Sequence, residues 1–339
     1  MQALGPLLRT LRPQLLGVLA FLGLLLVLDQ VIGFALESMF RRLDLGPSGA
    51  AVNRVRAARA QVVVLGSSRA AGHFVPAVLA RDLGVSVYNA GVSGQGVPYM
   101  RGLADLLLRE YRPLLFLVNV EPETMVDIGD SGRVAVLAPF LSESPVVRNL
   151  IYARATLERT KYAFSSFRFN GRPLQMLRDF FQRDESDRGY TPYTAVPGRE
   201  GLLALYGPRT DVFVEPFARG IEAPRRLLLV ELVAAARERG TRVAMVMAPR
   251  WDPPGQRVPD RERIAGQLED LARELHVPFV DLGYERAPEL ANDDLWMDPL
   301  HLNDRGAEIF SARLAREIST LGLVAEADRA AAEHARAGS

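Results

Sequence analysis

Short runs of apolar residues alternate with amphipathic stretches through most of the chain after residue 60. The runs are rich in Val and Leu, and the stretches between them carry charges among regularly spaced Ala and Leu residues. Strands buried on both faces read as continuous apolar runs, whereas surface helices read as amphipathic stretches. This alternation predicts an α/β domain with a parallel sheet covered on both faces. The predicted strands are 61–65, 85–88, 114–120, 242–247 and 277–282.

The alternation is lost between about residues 124 and 225, where aromatic and basic residues are mixed with Pro and Gly. A segment of about 100 residues is too long for a structureless loop in a compact domain. We therefore expect one domain over 61–322, with a large helical insertion at about 124–225 that covers or borders the functional site of the domain. The Ala-, Glu- and Arg-rich stretch 323–339 is expected to be a polar tail.

The N-terminal region contains a long apolar segment. Residues 15–36 form about 22 mostly apolar positions, close to the number that a helix needs to cross a bilayer. Asp29 and Gln30 interrupt the segment, and a carboxylate is costly deep in hydrocarbon, so Asp29 is expected near one end of the span. We interpret 1–40 as a transmembrane anchor and 41–60 as a juxtamembrane linker or short helix. The alternative is a signal peptide cleaved after Gly33-Phe34-Ala35.

Composition excludes several classes of function. Acidic and basic residues nearly balance, with a formal net charge of +1, so no broad basic surface for nucleic acid is expected. The chain has no cysteine and only four histidines, which excludes disulfides and thiolate metal sites and leaves little for a histidine site. No metal or organic cofactor is expected.

Candidate chemistry lies at the ends of the predicted strands, where open parallel sheets bind their ligands. Gly66-Ser67-Ser68-Arg69 follows the first strand, residues 89–96 follow the second, and Asp298-Pro-Leu-His301 follows the last. A serine becomes a useful nucleophile when a base takes its proton and a third group orients that base. His301 and Asp298 supply both roles from one loop. Taken singly, the same features also fit a helix N-cap, a tight turn and a structural histidine.

Together the three pieces have the order and spacing of the SGNH/GDSL hydrolases, and the chain resembles that family over about 61–122 and 240–320. The resemblance implies a flavodoxin-like three-layer sandwich. It also implies Ser68 as nucleophile, His301 as base and Asp298 as its orienting partner. The N–H groups of Ser68 and Gly94 would then form the oxyanion hole, and Ser67 replaces the aspartate that usually precedes the nucleophile.

The third family block departs from the pattern. Its Gly-x-Asn-Asp should fall at Val120 to Glu123, where the chain has Val-Glu-Pro-Glu, so the asparagine donor is missing. Loss of one hydrogen-bond donor from an oxyanion hole lowers kcat by a factor of about 10²–10³. Glu121 and Glu123 are interpreted as loop acids rather than a catalytic pair. Candidate substrate contacts are Arg69, Asn119 and Arg250.

Similar departures together with a single N-terminal span occur in membrane-anchored SGNH-like proteins of envelope polysaccharide acylation. The chain resembles alginate O-acetyltransferase accessory proteins and the D-alanine transfer protein. This resemblance implies acyl transfer or ester hydrolysis on an extracytoplasmic glycan, with a multi-pass membrane acyltransferase as a candidate partner. It also implies a single-pass inner-membrane protein with its domain outside the cytoplasm, although basic residues flank the span on both sides. The rival interpretation is a non-catalytic glycan-binding or scaffold protein with a degraded site.

Overall fold

A computed structural model of the chain describes residues 4–43, 51–126, 131–181, 188–252, 258–283, 287–325 and 328. Five strands form a parallel sheet, and two short strands form an antiparallel hairpin. The sheet strands are β1 Val62–Leu65, β2 Val87–Asn89, β3 Leu115–Asn119, β4 Arg242–Met247 and β5 Phe279–Asp281, and the hairpin strands are β6 Trp296–Asp298 and β7 His301–Leu302.

Thirteen α-helices lie in the described part of the chain. They are α1 Leu4–Phe40, α2 Ala51–Ala58, α3 Ser68–His73, α4 Pro76–Leu83, α5 Val97–Glu110, α6 Pro145–Tyr152, α7 Glu158–Lys161, α8 Pro173–Phe180, α9 Gly198–Thr210, α10 Val214–Arg219, α11 Ala223–Glu238, α12 Arg261–Glu274 and α13 Asp304–Thr320. Short 3₁₀ helices occupy Pro122–Thr124, Ser131–Phe140, Ser166–Phe169, Asp211–Phe213, Pro288–Leu290 and Asp293–Leu295.

The strand order β2-β1-β3-β4-β5 is that of flavodoxin-like sheets. All four strand pairs are parallel, and Val63 of β1 lies opposite Tyr88 of β2 and Phe116 of β3. The five strands overlap the five predicted apolar runs. The predicted α/β fold with a parallel sheet is therefore confirmed.

Alternate strand residues enter two separate cores, because successive side chains of a strand point to opposite faces. Val63 and Phe116 pack with helices α5, α11 and α12 on one face. Val64 and Leu117 pack with α4 and α13 on the other face. Helices therefore cover both faces of the sheet and give three layers, which explains why the strands read as continuous apolar runs.

Regions outside the predicted strand–helix core also contribute to it. Val52 and Val55 of α2, inside the predicted linker, are buried in the same core as Val63. Residues 44–50 of that linker lie outside the described residues, as do 326–327 and 329–339 of the predicted tail. The segment 124–225 carries helices α6 to α10, and its described part contains no strand.

Helix α1 extends far beyond the sheet. Pro13–Phe40 is long and apolar enough to cross a membrane, a property that a signal sequence would share. Side chains from Pro13 to Leu28 are exposed, whereas Asp29, Gly33 and Phe40 are buried against the rest of the protein. Within Pro13–Phe40, burial against the folded body therefore begins at Asp29.

Candidate active site

Ser68 begins helix α3 immediately beyond the end of β1. Ser67, the residue before it, makes no side-chain hydrogen bond to the helix N-terminus. Asn89 at the end of β2 holds α3 in place, because its Nδ2 donates to the carbonyl oxygens of Ala70 at 2.7 Å and Phe74 at 2.8 Å. The position of Ser68 is thus set by β1 on one side and by β2 on the other.

Asp298 and His301 lie on the β6–β7 hairpin. One carboxylate oxygen of Asp298 accepts the backbone N–H groups of Leu300 at 2.7 Å and His301 at 3.0 Å, which holds the turn. The two Asp298 oxygens lie 2.9 and 3.0 Å from His301 Nδ1. The carboxylate therefore fixes both the backbone of the turn and the orientation of the imidazole ring.

Ser68 and His301 are 233 positions apart in the chain, yet Ser68 Oγ lies 2.8 Å from His301 Nε2. A hydrogen on Nδ1 that is donated to Asp298 leaves the Nε2 lone pair free to accept the serine hydroxyl proton. The structure therefore brings together Ser68, His301 and Asp298, the three residues that the sequence selected.

The electrostatic environment keeps Asp298 ionised. Burial opposes its charge, but the hydrogen bond and positive charge offered by His301 outweigh burial and hold the pKa of Asp298 below its usual value. Arg209, from α9 in the insertion, approaches the same carboxylate at 3.7 Å. An ionised Asp298 is the form that keeps the proton of His301 on Nδ1.

Ser68 opens onto a small pocket of about 90 Å³. Gly94 lies on the pocket wall, and its φ of +74° is the left-handed conformation that glycine adopts without strain. Arg133, from the insertion, donates to the Gly94 carbonyl oxygen at 2.9 Å. Phe213 and Leu300 supply the apolar part of the lining.

A cluster of buried charges lies directly behind this pocket. Arg69 Nη2 lies 2.9 Å from Glu121 and 2.6 Å from Glu123. Arg250 and Arg261 also reach Glu123, at 3.2 and 3.3 Å. All five side chains are at most 8% exposed, so the two glutamates are structural anchors for three arginines.

Two of the predicted substrate contacts belong to the protein interior. Arg250 is 1% exposed and also binds the Tyr206 hydroxyl at 2.9 Å. Asn119 is fully buried, donates to Glu121 at 2.5 Å and accepts from the Ala248 N–H at 3.3 Å. Neither lines the pocket beside Ser68, and this corrects their assignment as substrate contacts. Arg69 does line the pocket.

The paired glutamates have opposite pKa shifts. Burial raises the pKa of Glu121 to about 7, against the opposing charge of Arg69. Burial also opposes the charge of Glu123, but the positive charges of Arg69, Arg261 and Arg250 outweigh it and hold the pKa of Glu123 far below its usual value. Glu123 therefore carries the charge that holds the arginine cluster together.

Several residues at the site were not among the predicted site residues. His73 is fully buried, and its Nε2 accepts the Leu302 N–H at 3.0 Å, which ties α3 to β7. Tyr193, from the insertion, packs its ring 5.3 Å from that of His301. Arg133, Tyr193 and Arg209 come from the insertion, which lies outside the resembling blocks. For His73, only its place five residues after Ser68 pointed to the site.

No group of three or more His, Asp or Glu side chains in a metal-binding arrangement occurs among the residues that the structure describes.

Part of the chain matches a known sequence family. The sequence model of the GDSL-like lipase/acylhydrolase family matches residues 204–309, a stretch that includes Asp298 and His301. This match supports a place for the chain in the SGNH/GDSL hydrolase superfamily. No curated protein matches it.

Among solved structures, this chain is similar to an acetyl xylan esterase named AlAXEase, with 12% identity and a TM-score of 0.36 over 77% of this chain and 98% of that one. It is also similar to a GDSL-like lipase from Bacteroides thetaiotaomicron, with 13% identity and a TM-score of 0.36 over 83% of this chain and 99% of that one.

Proposed function

We propose that this SGNH protein is a membrane-anchored serine enzyme that transfers or hydrolyses acyl groups on an extracytoplasmic glycan. The observation that carries the chemistry is the hydrogen-bonded series Ser68 Oγ, His301 Nε2 and Asp298, with distances of 2.8 and 2.9 Å. A nucleophile, a base and an oriented third group at hydrogen-bond distance are the requirements for covalent acyl transfer. The match of residues 204–309 to the model of a family of acylhydrolases supports the same reaction class.

The reaction proceeds in two steps. Ser68 Oγ attacks the acyl carbonyl carbon while its proton passes to His301 Nε2. The carbon–oxygen bond to the donor alcohol then breaks, and that alcohol leaves with the proton from His301. In the second step, water or a sugar hydroxyl gives its proton to His301 and attacks the acyl-Ser68. The products are then either a free acid or an acylated glycan, and Ser68 regains its proton.

The developing oxyanion needs hydrogen-bond donors in the pocket. The N–H groups of Ser68 and Gly94 are assigned to this role, and Arg69 takes the place of the absent asparagine. Arg69 lines the pocket beside both residues. Its Nη2 is held by Glu121 and Glu123, whereas its Nη1 is buried without a hydrogen-bond partner among the described residues. An unpartnered guanidinium N–H on a residue that lines the pocket is suited to bind a negatively charged oxygen.

The membrane location rests on α1. A cleaved signal peptide would remove Asp29 and Gly33, which are buried against the folded protein. Retention of α1 as an anchor keeps these contacts. The glycan substrate and a multi-pass acyltransferase partner follow from the resemblance to envelope acylation proteins.

Labelling with a fluorophosphonate, followed by mass spectrometry of the adduct, tests the chemistry. The adduct is expected on Ser68, and Ser68→Ala or His301→Ala should abolish it. Ser67→Ala is the matched control and should keep the label, because Ser67 makes no hydrogen bond to the N-terminus of α3. An adduct on Ser67 would contradict the assignment. The absence of any adduct on the folded protein would favour the rival function, a non-catalytic glycan-binding or scaffold protein, which the missing asparagine also favours.

Acyl transfer and hydrolysis are separated by their products. Purified enzyme is supplied with an acetyl ester and an oligosaccharide acceptor, and free acid and acylated oligosaccharide are quantified together. Transfer predicts acylated oligosaccharide that disappears in Ser68→Ala. Release of acid alone with every acceptor offered would leave esterase as the activity.

A further inference from the structure

Helix α8 has its apolar face turned outward. Leu174, Leu177 and Phe181 follow one another at helical spacing and are 84%, 50% and 79% exposed. On the opposite side of the helix, Met176 and Asp179 are buried. A surface helix of a water-soluble protein normally buries its apolar stripe and exposes its carboxylates. The reversed pattern indicates that something other than water covers the outer face of α8.

The exposed apolar surface continues beyond α8. Phe180 is 53% exposed, and Phe164, ahead of the 3₁₀ helix Ser166–Phe169, is 46% exposed. Both α8 and this 3₁₀ helix contact α1. The apolar face of the insertion therefore lies next to the helix that is long and apolar enough to cross a membrane.

The length of α1 places this contact at the level of the membrane boundary. Arg12 is the last charged residue before the apolar segment. A span of about 20 residues that begins at Pro13 ends near Ile32. A span that stopped at Leu28, where contacts with the folded body begin, would be only about 24 Å long at 1.5 Å per residue, short of the roughly 30 Å hydrocarbon core.

Asp29 and Gly33, on either side of this boundary, are the positions where the insertion meets α1. The Asp29 carboxylate accepts the backbone N–H groups of Ser165 at 2.7 Å and Ser166 at 3.1 Å, and the Ser166 hydroxyl at 2.6 Å. At Gly33, an added Cβ would lie 2.4 Å from the Ser165 Cβ, so only glycine allows this approach. The contact satisfies a carboxylate that would otherwise be costly near hydrocarbon.

We propose that the outer face of α8, together with Phe164, Phe180 and Phe181, lies in the interfacial layer of the bilayer that α1 spans. The face has the composition of in-plane membrane helices, since its apolar and aromatic side chains are flanked by the exposed Arg178. Lipid is favoured over a protein partner because the face adjoins the span at the depth where the hydrocarbon core ends. The proposal rests on the membrane anchoring in the proposed function, and it is independent of the chemistry at Ser68.

The chain has no cysteine, so single cysteines can be labelled without a background. The full-length protein carrying Leu177→Cys is labelled with an environment-sensitive fluorophore. It is then reconstituted into phosphatidylcholine–phosphatidylglycerol vesicles with or without lipids that carry a nitroxide near the glycerol. Leu22→Cys reports insertion of α1. Leu227→Cys is the matched control, since Leu227 is 56% exposed on α11.

The proposal predicts that the nitroxide lipids quench the label at position 177 several-fold more strongly than the label at 227. Leu174→Cys repeats the measurement on the same face if Leu177→Cys does not fold. Quenching at 22 with none at 177 or 174 would overturn the proposal and leave the anchor intact. Absence of quenching at 22 as well would overturn the anchor and the proposal with it. If the emission of the label at 177 is blue-shifted but lipid nitroxides do not quench it, a second copy of the chain covers the face. That result would also overturn the proposal.

Discussion

Replacement of Asp298 by Asn is the sharpest test of how the site works, because it changes one atom and one charge. The side-chain carbonyl oxygen of the introduced amide is still able to accept the Leu300 and His301 N–H groups that Asp298 now accepts at 2.7 and 3.0 Å. The new amide NH₂ then takes the place of the other carboxylate oxygen, Oδ2, which lies 3.0 Å from His301 Nδ1. The hairpin should keep its shape while the partner of the imidazole changes from an acceptor to a donor.

This change reverses the tautomer of His301. With a donor opposite Nδ1, the ring carries its proton on Nε2, and that atom can no longer take the proton of the Ser68 hydroxyl 2.8 Å away. In a serine triad, the same substitution lowers kcat by about 10⁴, which corresponds to about 5 kcal/mol of transition-state stabilisation. The loss of one charge-assisted hydrogen bond should cost only about 1.5–3 kcal/mol of folding stability.

The assay compares kcat for hydrolysis of a chromogenic acetate ester with thermal unfolding of the same preparations. Asp294→Asn is the matched control, because Asp294 is exposed, lies four residues earlier and undergoes the same loss of charge. We expect kcat of Asp298→Asn to fall by about four orders of magnitude with KM little changed, and the control to match the wild type. The reasoning would be refuted if Asp298→Asn stayed within tenfold of wild type while Ser68→Ala was inactive.

Three further predictions concern the donor in the pocket, the pH dependence of stability and the start of the folded body. Arg69→Lys keeps the charge but removes the guanidinium Nη1, so kcat should fall by about 10²–10³. The melting temperature should fall as well, because lysine does not reproduce the guanidinium contacts with the buried Glu121 and Glu123. Equal kcat would remove Arg69 from the oxyanion hole. Burial holds the pKa of His73 well below its usual 6.5, so the unfolded chain takes up a proton that the folded chain does not, and stability should decrease as the pH falls below about 6.5. Denaturant titrations at several pH values should show that the free energy of unfolding of His73→Gln lacks this part of the pH dependence. An unchanged pH dependence would contradict the assignment to His73. A truncated protein that starts at Ala60 loses the buried Phe40, Leu43, Val52 and Val55. Burial of each of these side chains contributes at least about 1.5 kcal/mol to folding stability. The truncated protein should therefore have a melting temperature well below that of a protein that starts at Glu37. Equal melting temperatures would show that α2 does not stabilise the core.

The sequence by itself determined the sheet and the order of the residues at its edge. Continuous apolar runs such as 61–65 and 242–247 alternate with helical stretches. Strands with this pattern are stable in a parallel sheet that helices bury on both faces. The carboxyl ends of parallel strands meet at one edge, so a serine after β1 and an Asp-x-x-His near the C-terminus were expected to meet there. These inferences depend on local periodicity and short-range spacing, which a sequence displays directly.

The tertiary structure decided what each charged side chain faces. Arg69, Arg250 and Asn119 were all candidates to bind a substrate, yet Arg250 and Asn119 are enclosed in the protein, and of the three only Arg69 reaches the pocket. The roles of Glu121 and Glu123 follow from three arginines contributed by distant segments. Such pairings depend on contacts between residues far apart in the chain, because the free energy of a buried charge is set by its partners in space. For the same reason, only the fold revealed that the insertion meets α1 at Asp29.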